Sequence, residues 1–488
     1  MTLSAPASPA APWRTGARGA ALLGGHKPLV ALVLAGAALR AVALVAVYPG
    51  IWVADSNVYV ASAASHTLAV VRVVGYSLVV LPFWALGSAA ALIVVQHLLG
   101  VALGVLVYAL LLRRGVPKLL ATLATVPLLL DAYLIHVEHT IMPETVFHAA
   151  LLGVVALLLW SDERPGLVTA AAAGLLLGYA STTRPVGAPF VAIFVAYLLL
   201  RRVGWRRLAV FFVGWLVVVG CYATVFRAQH GHFGFSEFGP RFLYARVAPF
   251  ADCSRLDDLP ADERRFCPDT RHRLTTNDYL WGGPSPIREV PLGANPRLRH
   301  FDRRVLADRP LTYAGRVAGA ALHYFEPGHR IGHDDSPVST WQFPADPRHS
   351  LPYPAYQGPI RAGAPGGPAA TAPTDEVSRI ALHPRTRAGA GGFLHGYQRI
   401  AYTPGPLLAV CLAVALAAVV TRRGAPRLRL DAALLAALTL AALITAVALA
   451  PFSYRYGLVA VVALPPAAAL AGAALLAGRA RGACTRTE

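Results

Sequence analysis

The chain has 488 residues and a formal net charge of +19, is 56% hydrophobic, and carries 14% charged residues where an ordinary soluble domain has about 25%. Those values exclude a soluble multidomain enzyme and a largely disordered chain. Five Cys in 488 residues exclude a disulfide-dense secreted scaffold.

A membrane-spanning helix needs about 20 mostly apolar residues. Ten stretches read as candidates: 28–48, 88–112, 118–136, 140–160, 166–183, 186–200, 207–226, 402–421, 430–450 and 457–477. Pro flanks shorten two of them. Arg40, inside the first, is costly at membrane depth and is expected to face the bundle interior or to snorkel. The first 27 residues lack a cleavage site behind a short apolar core, so the first span reads as an uncleaved signal anchor.

Lys and Arg in the short loops set orientation. One side carries Arg14, Arg18, Lys27, Arg113, Arg114, Lys118, Arg164, Arg201, Arg202, Arg206 and Arg207. Arg422, Arg423, Arg427, Arg429, Arg479, Arg481 and Arg486 continue that side, while the opposite short loops hold Arg72, Arg184 and Arg455. Both tails, 1–27 and 478–488, are therefore expected in the cytoplasm and the insert 227–401 outside. The excess charge is thus a topology signal, and nucleic acid is not an expected partner. Residues 227–400 hold 22 basic and 17 acidic residues, a polar insert between acid-poor membrane parts, 28–226 and 402–477.

The first external loop, 49–87, is too polar to span and too apolar to be free, which suits interfacial helices on the outer leaflet. Within the insert, Leu298, Phe301, Val305 and Leu306 lie at helical spacing. Pro310 should break that helix and open a second, lined on one face by Leu311, Ala314, Ala318 and Leu322. Residues 343–373 read as coil. Cys253 and Cys267 lie 14 apart in the external insert, where an oxidising compartment favours a bridge. Cys221, Cys411 and Cys484 read as free.

Polar residues at membrane depth are functional candidates by default, and here they gather at the external helix ends. Asp55 follows the first span, then Arg72 and Gly75-Tyr76-Ser77. Asp131, Tyr133, His136, Glu138 and His139 leave the third. Glu144 opens the fourth, and Arg184-Pro185 and Tyr454-Arg455-Tyr456 lie between later spans. A carboxylate there can accept a proton from a hydroxyl, and arginines can hold a phosphate by bidentate hydrogen bonds. Plainer readings stand beside these. Asp55 can cap a helix, Glu144 can favour a helix dipole, and Arg184 and Arg455 can anchor the interface. His136, Glu138 and His139 have metal-compatible spacing but also suit solvation. Gln96, His97 and His148 read as buried, hydrogen-bonded spacers.

The motifs resemble those of GT-C glycosyltransferases, the polyprenyl-phosphate-sugar-dependent enzymes related to protein O-mannosyltransferases and lipid A aminoarabinose transferases. Asp55-Ser-Asn-Val-Tyr59 and Arg72-Val-Val-Gly75-Tyr76-Ser77 are similar to that family's first external loop. Glu138-His-Thr-Ile-Met-Pro-Glu144 resembles its second acidic position, Thr183-Arg184-Pro185 its Arg-Pro step, and Arg455-Tyr456 its late Arg-Tyr. The chain departs from the pattern at Ser56, where many relatives have a second acid, and at Val74, where they have Pro.

The resemblance implies an all-α integral membrane bundle of about ten spans with a large external insert, in a bacterial cytoplasmic membrane. It implies inverting glycosyl transfer from a polyprenyl-phosphate sugar to an envelope acceptor (a glycan, lipid or protein) on the external face. Asp55 is then the general base, and Glu144 orients the acceptor or a divalent cation, Mg2+ or Mn2+. Arg72, Arg184 and Arg455 hold phosphate. Tyr59, Tyr76, Glu138, His139 and Tyr456 complete the substrate-binding set. A transporter or flippase of lipid-linked glycans is the competing reading, but such proteins usually show repeats and a midplane site. A non-catalytic assembly protein is the other.

Overall fold

The computed structural model describes residues 25–161, 163–256, 258–269, 274–344, 380, 385–421 and 424–484, with side chains as far as 477. Expectations for residues 1–24, most of the coil at 343–373, Arg422 and Arg423, and the side chain of Cys484 lie outside that set.

The protein is all-α. Among the described residues the sole sheet is one antiparallel pair, β1 (Val47–Tyr48) with β2 (Arg385–Thr386). Five helices are long and apolar enough to cross a membrane. They are α1 (Lys27–Ala46), α4 (Ala89–Arg113), α10 (Trp205–His230), α17 (Pro426–Leu449) and α18 (Leu458–Cys484).

Two bent pairs bring the number of spans to as many as seven. α5 (Lys118–Leu130) and α6 (Ala132–Glu138) meet at 51°, and α15 (Ala388–Ile400) and α16 (Gly405–Val420) at 47°. α7 (Glu144–Leu159), α8 (Leu167–Thr183) and the segment Pro185–Leu200, which contains α9 (Phe190–Leu200), are apolar but shorter. Every one of the ten stretches is thus helical, and they differ in length. Pro143, Pro185, Pro189 and Pro404 cut the stretches short, because Pro supplies no N–H to the preceding turn. At 1.5 Å per residue, 16 residues reach about 24 Å, below the roughly 30 Å of a hydrocarbon core.

Hydrogen bonds gather the basic loops at one end of the bundle. Arg113 Nε donates to the Trp160 carbonyl at 2.6 Å, Lys118 Nζ to that of Gly25 at 3.3 Å, and Arg201 Nη2 to that of Glu163 at 3.3 Å. Arg114 is more than a loop charge. It makes a buried ion pair with Asp431 at 2.6 Å, and Tyr197 also donates to Asp431 at 2.8 Å.

The loop 49–87 holds two helices, α2 (Ala54–Ser65) and α3 (Ser77–Ala85). α2 does not simply lie on a leaflet, since Ser56 and every residue from Val58 to Ala64 are buried in protein, whereas α3 buries only Ser77 and Val80. In the insert, α11 (Gly239–Val247) and α12 (Thr276–Trp281) precede α13 (Asn295–Asp308) and α14 (Pro310–His323). The break at Pro310 falls where expected. Leu298, Phe301 and Val305 pack with Tyr244 and Phe266 into a separate core, which also takes Val70 and Val71 from the loop before α3. The face of α14 that carries Leu311, Ala314, Ala318 and Leu322 is the exposed one. Leu311 and Leu322 are exposed, and Val317, Ala320 and Ala321 pack on the bundle instead. Cys253 and Cys267 form a disulfide with Cα atoms 6.1 Å apart, as expected.

Asp302 is fully buried in the insert core with neither carboxylate oxygen hydrogen-bonded. Burial pushes its pKa up to about 9. The folded state therefore holds a proton that the unfolded state releases near pH 4, so stability is highest in acid and falls as pH rises toward about 9. Asp302→Asn, which carries no titrating proton, should remove that slope. Limited proteolysis of the solubilised full chain at pH 5 and pH 8 reads it. An unchanged pH dependence would rule Asp302 out as its source.

Candidate active site

Asp55 lies in the first turn of α2, where a carboxylate suits the helix dipole. It is part of a helix and not of a loop. Ser56 fixes that turn, accepting from the Val53 N–H at 3.0 Å and donating to the Ile141 carbonyl at 2.9 Å. Asp55 caps no backbone N–H. Its Oδ1 accepts from Arg72 Nη2 at 3.2 Å and its Oδ2 from Arg455 Nη2 at 3.2 Å.

Arg455 reaches on to Glu144, with Nη1 3.7 Å from Oε1. Arg184 Nη1 lies 3.4 Å from the same Oε1. Arg72, Asp55, Arg455, Glu144 and Arg184 are therefore one row of alternating charges, three cations and two anions. The Glu144 side chain is 1% exposed and that of Asp55 20%. Residues from five parts of the chain meet here, as the sequence proposed for Asp55, Arg72, Glu144, Arg184 and Arg455.

Local chemistry explains the placements. Arg184 precedes Pro185, which disfavours helical torsions at the residue before it. It is extended, with φ −143° and ψ 132°, and so ends α8. Gly75 allows the Arg72 segment to approach α8, because a Cβ there would lie 2.6 Å from the Thr182 carbonyl oxygen. The Gly75 N–H donates to that oxygen at 2.8 Å.

Burial alone would raise the Asp55 pKa, but the Arg72 and Arg455 guanidiniums outweigh it and hold it below the usual carboxylate range. Two groups remain underused. Glu144 Oε2 is buried without a hydrogen bond, and Arg184 Nη1 has the ion pair but no hydrogen-bond geometry. Both can take a partner without losing one.

Aromatic rings enclose the row. Arg184 sits over the rings of Phe147 and Tyr456, at 5.6 and 5.3 Å. Tyr59 and Tyr76 pack edge to face at 5.2 Å. Tyr76 turns away from the carboxylates and donates to Gln96 Oε1 at 2.5 Å. The insert adds two rings that carried no sequence signal. Trp341 lies 4.7 Å from the Arg455 guanidinium, and Phe242 5.0 Å from that of Arg72. Beside the row is a narrow cleft that shares Tyr454 and Gly457 with the turn bearing Arg455. His323, Glu326 and Arg330 line part of it, and Leu408, Leu458 and Val461 another part.

Glu138 and His139 are drawn into a different group. Glu138 pairs with Arg40 at 2.7 Å, and His139 bonds His97 at 3.0 Å. Gln96 and His97 are hydrogen-bonded spacers as read, whereas the buried His148 leaves Nε2 unpartnered. Asp131 caps the bend between α5 and α6, with Oδ1 accepting from the Tyr133 N–H at 2.9 Å and Oδ2 from Thr403.

No group of three or more His, Cys, Asp or Glu suited to a metal occurs among the described residues. Asp55 and Glu144 are each flanked by guanidiniums, which repel a divalent cation. The donor set does not fit a resident Mg2+ or Mn2+, and no step is derived through one.

No protein-family model matches the chain, and no curated protein matches it significantly. Among solved structures, ArnT from Cupriavidus metallidurans in the apo state is similar at 15% identity and a TM-score of 0.35, over 95% of this chain and 78% of that one.

Proposed function

We propose that this protein is a membrane glycosyltransferase of the GT-C type, moving a sugar from a polyprenyl-phosphate donor to a hydroxyl of a cell-envelope acceptor. The carrying observation is Asp55 held between Arg72 and Arg455, with Glu144 and Arg184 continuing the row. Such a row can take a proton on a carboxylate while its guanidiniums hold a phosphate.

The donor phosphate competes with Asp55 for the guanidiniums of Arg72 and Arg455. As those contacts pass to phosphate, the carboxylate loses the charges that depress its basicity. The acceptor oxygen then bonds to the anomeric carbon while its proton moves to Asp55. The bond from that carbon to the phosphate oxygen breaks, and the electron pair leaves with the phosphate. Attack opposite the leaving group inverts the anomeric centre. Glu144, with one free oxygen, orients the acceptor. The adjoining cleft, polar in part and apolar in part, suits an amphiphilic substrate.

The direct test is transfer from a synthetic polyprenyl-phosphate sugar by the purified protein, with donor binding measured separately. Absence of both binding and transfer across sugars would leave the flippase or assembly readings. Orientation is tested by labelling Ser350→Cys and Ser161→Cys in intact cells with an impermeant reagent, against the parent chain. Ser350→Cys should react and Ser161→Cys should not. The reverse would put the candidate site in the cytoplasm and defeat the donor assignment.

A further inference from the structure

Inside the bundle, four side chains form an unbroken hydrogen-bonded chain that the transfer chemistry does not use. Arg40 of α1 donates from Nε and Nη2 to Glu138 Oε2 and Oε1, at 2.7 and 2.8 Å. Glu138 Oε2 lies 3.1 Å from His97 Nδ1, on α4. His97 Nε2 lies 3.0 Å from His139 Nδ1. His139 Nε2 lies 2.8 Å from the carbonyl oxygen of Val47. All four residues are buried, between 0% and 4% exposed. Gly100 makes the room, because a Cβ there would collide with the Glu138 carboxylate.

The protons along this chain can be counted. A carbonyl oxygen only accepts, so His139 Nε2 carries a proton. The nitrogen–nitrogen contact between the rings needs one more, and the contact between His97 Nδ1 and Glu138 a third. Two neutral imidazoles bring one each, and an ionised carboxylate brings none. The contacts therefore require three protons where the neutral forms supply two. The two-pronged grip of Arg40 favours the ionised carboxylate, which leaves the additional proton on the imidazoles.

We infer that His97 and His139 jointly hold one additional, buried proton between Glu138 and Val47, and that this charged chain positions the segment leading to Asp55. The segment is tied from both sides. His139 bonds the Val47 carbonyl, its own carbonyl accepts from the Ile51 N–H at 2.8 Å, and the Ile141 N–H donates to Ile51 at 3.2 Å. Four residues after Ile51 comes Asp55. Among the described residues, the charged and titratable groups facing the chain include Arg40 on α1, His136 on α6, Tyr397 on α15, and His148 on α7, which lines a pocket with Glu138. Phe343 of the insert covers the rings of His136 and His139. Glu138, His97 and His139 are thus positioning residues. Their link to catalysis rests on the proposed function, but the proton count does not.

The test is nitrogen-15 NMR of the full chain, histidine-labelled, in lipid nanodiscs, with His97→Gln and His139→Gln used for assignment. Three of the four ring nitrogens of His97 and His139 should be protonated at neutral pH. Two of four would overturn the inference. In Glu138→Gln the amide can donate to His97 Nδ1, so the count should fall to two, and a count of three there also counts against it. If transfer is measurable, Glu138→Gln should lower kcat roughly 10- to 100-fold with donor KM nearly unchanged. A raised KM at constant kcat would mean substrate contact and defeat the positioning role. A chain without transferase activity that still shows three protonated nitrogens would sink the proposed function and leave the buried proton standing.

Discussion

Asp55→Asn should cut glycosyl transfer by at least about 100-fold, a typical loss for a positioned base, while the protein still folds and inserts. Asn keeps the size of the side chain and one oxygen acceptor, so at least one arginine contact survives. It cannot usefully take the proton of the acceptor hydroxyl. The resting carboxylate is a weak base, because Arg72 and Arg455 outweigh the effect of burial and hold its pKa below the ordinary value. A group depressed in this way is ionised at neutral pH, so the free enzyme should show no acidic loss of activity from this group within the ordinary carboxylate range. Donor binding should be unchanged or tighter in Asp55→Asn, since phosphate no longer competes with a full negative charge. The measurements are turnover, donor affinity by titration, and the pH profile of kcat/KM. Near-normal turnover would pass the role of base to Glu144, whose Oε2 is buried and unpartnered.

Arg455→Lys should weaken donor use by about 10- to 100-fold, the worth of a charge-assisted hydrogen bond of roughly 1.5–3 kcal/mol. Arg455 touches both carboxylates, through Nη2 to Asp55 and Nη1 to Glu144, and stacks over Trp341 and Tyr456. A guanidinium does all of this because it is planar and forked, whereas an ammonium is a point charge. Lys retains the positive charge, so the protein should still reach the membrane in normal amount. Arg455→Ala is the sterner case. It leaves two largely buried carboxylates short of a cation, and breaking a buried pair costs about 3–5 kcal/mol. The comparison needed is donor KM and membrane-inserted protein in both variants. Unchanged kinetics in Arg455→Lys would reduce the residue to an interface anchor.

The sequence by itself determined the membrane character, the polar insert and the charged residues that meet in the row. Apolar runs of span length, basic loops and a long hydrophilic interval are one-dimensional signals, because the bilayer imposes one length scale and one charge asymmetry. Asp55, Arg72, Glu144, Arg184 and Arg455 stood out for a related reason. A charged group among apolar residues is costly, so its presence already argues for a partner. The break at Pro310 was legible too, since proline acts through its own ring and its missing N–H.

Only the tertiary structure decided who partners whom. Glu138 and Glu144 are similar acids six residues apart, yet one meets Arg40 and His97 while the other meets Arg184 and Arg455. The break between α6 and α7, where His139 and Ile141 bond Ile51, lies between the two acids and separates them. Which face of Pro310–His323 turns inward was equally beyond reading, because small and apolar residues occur on both sides and packing on the bundle selects Val317 over Leu311. Trp341 and Phe242 had no local mark at all. They enter the site because the insert folds back over the helix ends, and such contacts between distant segments exist only once the chain has closed on itself.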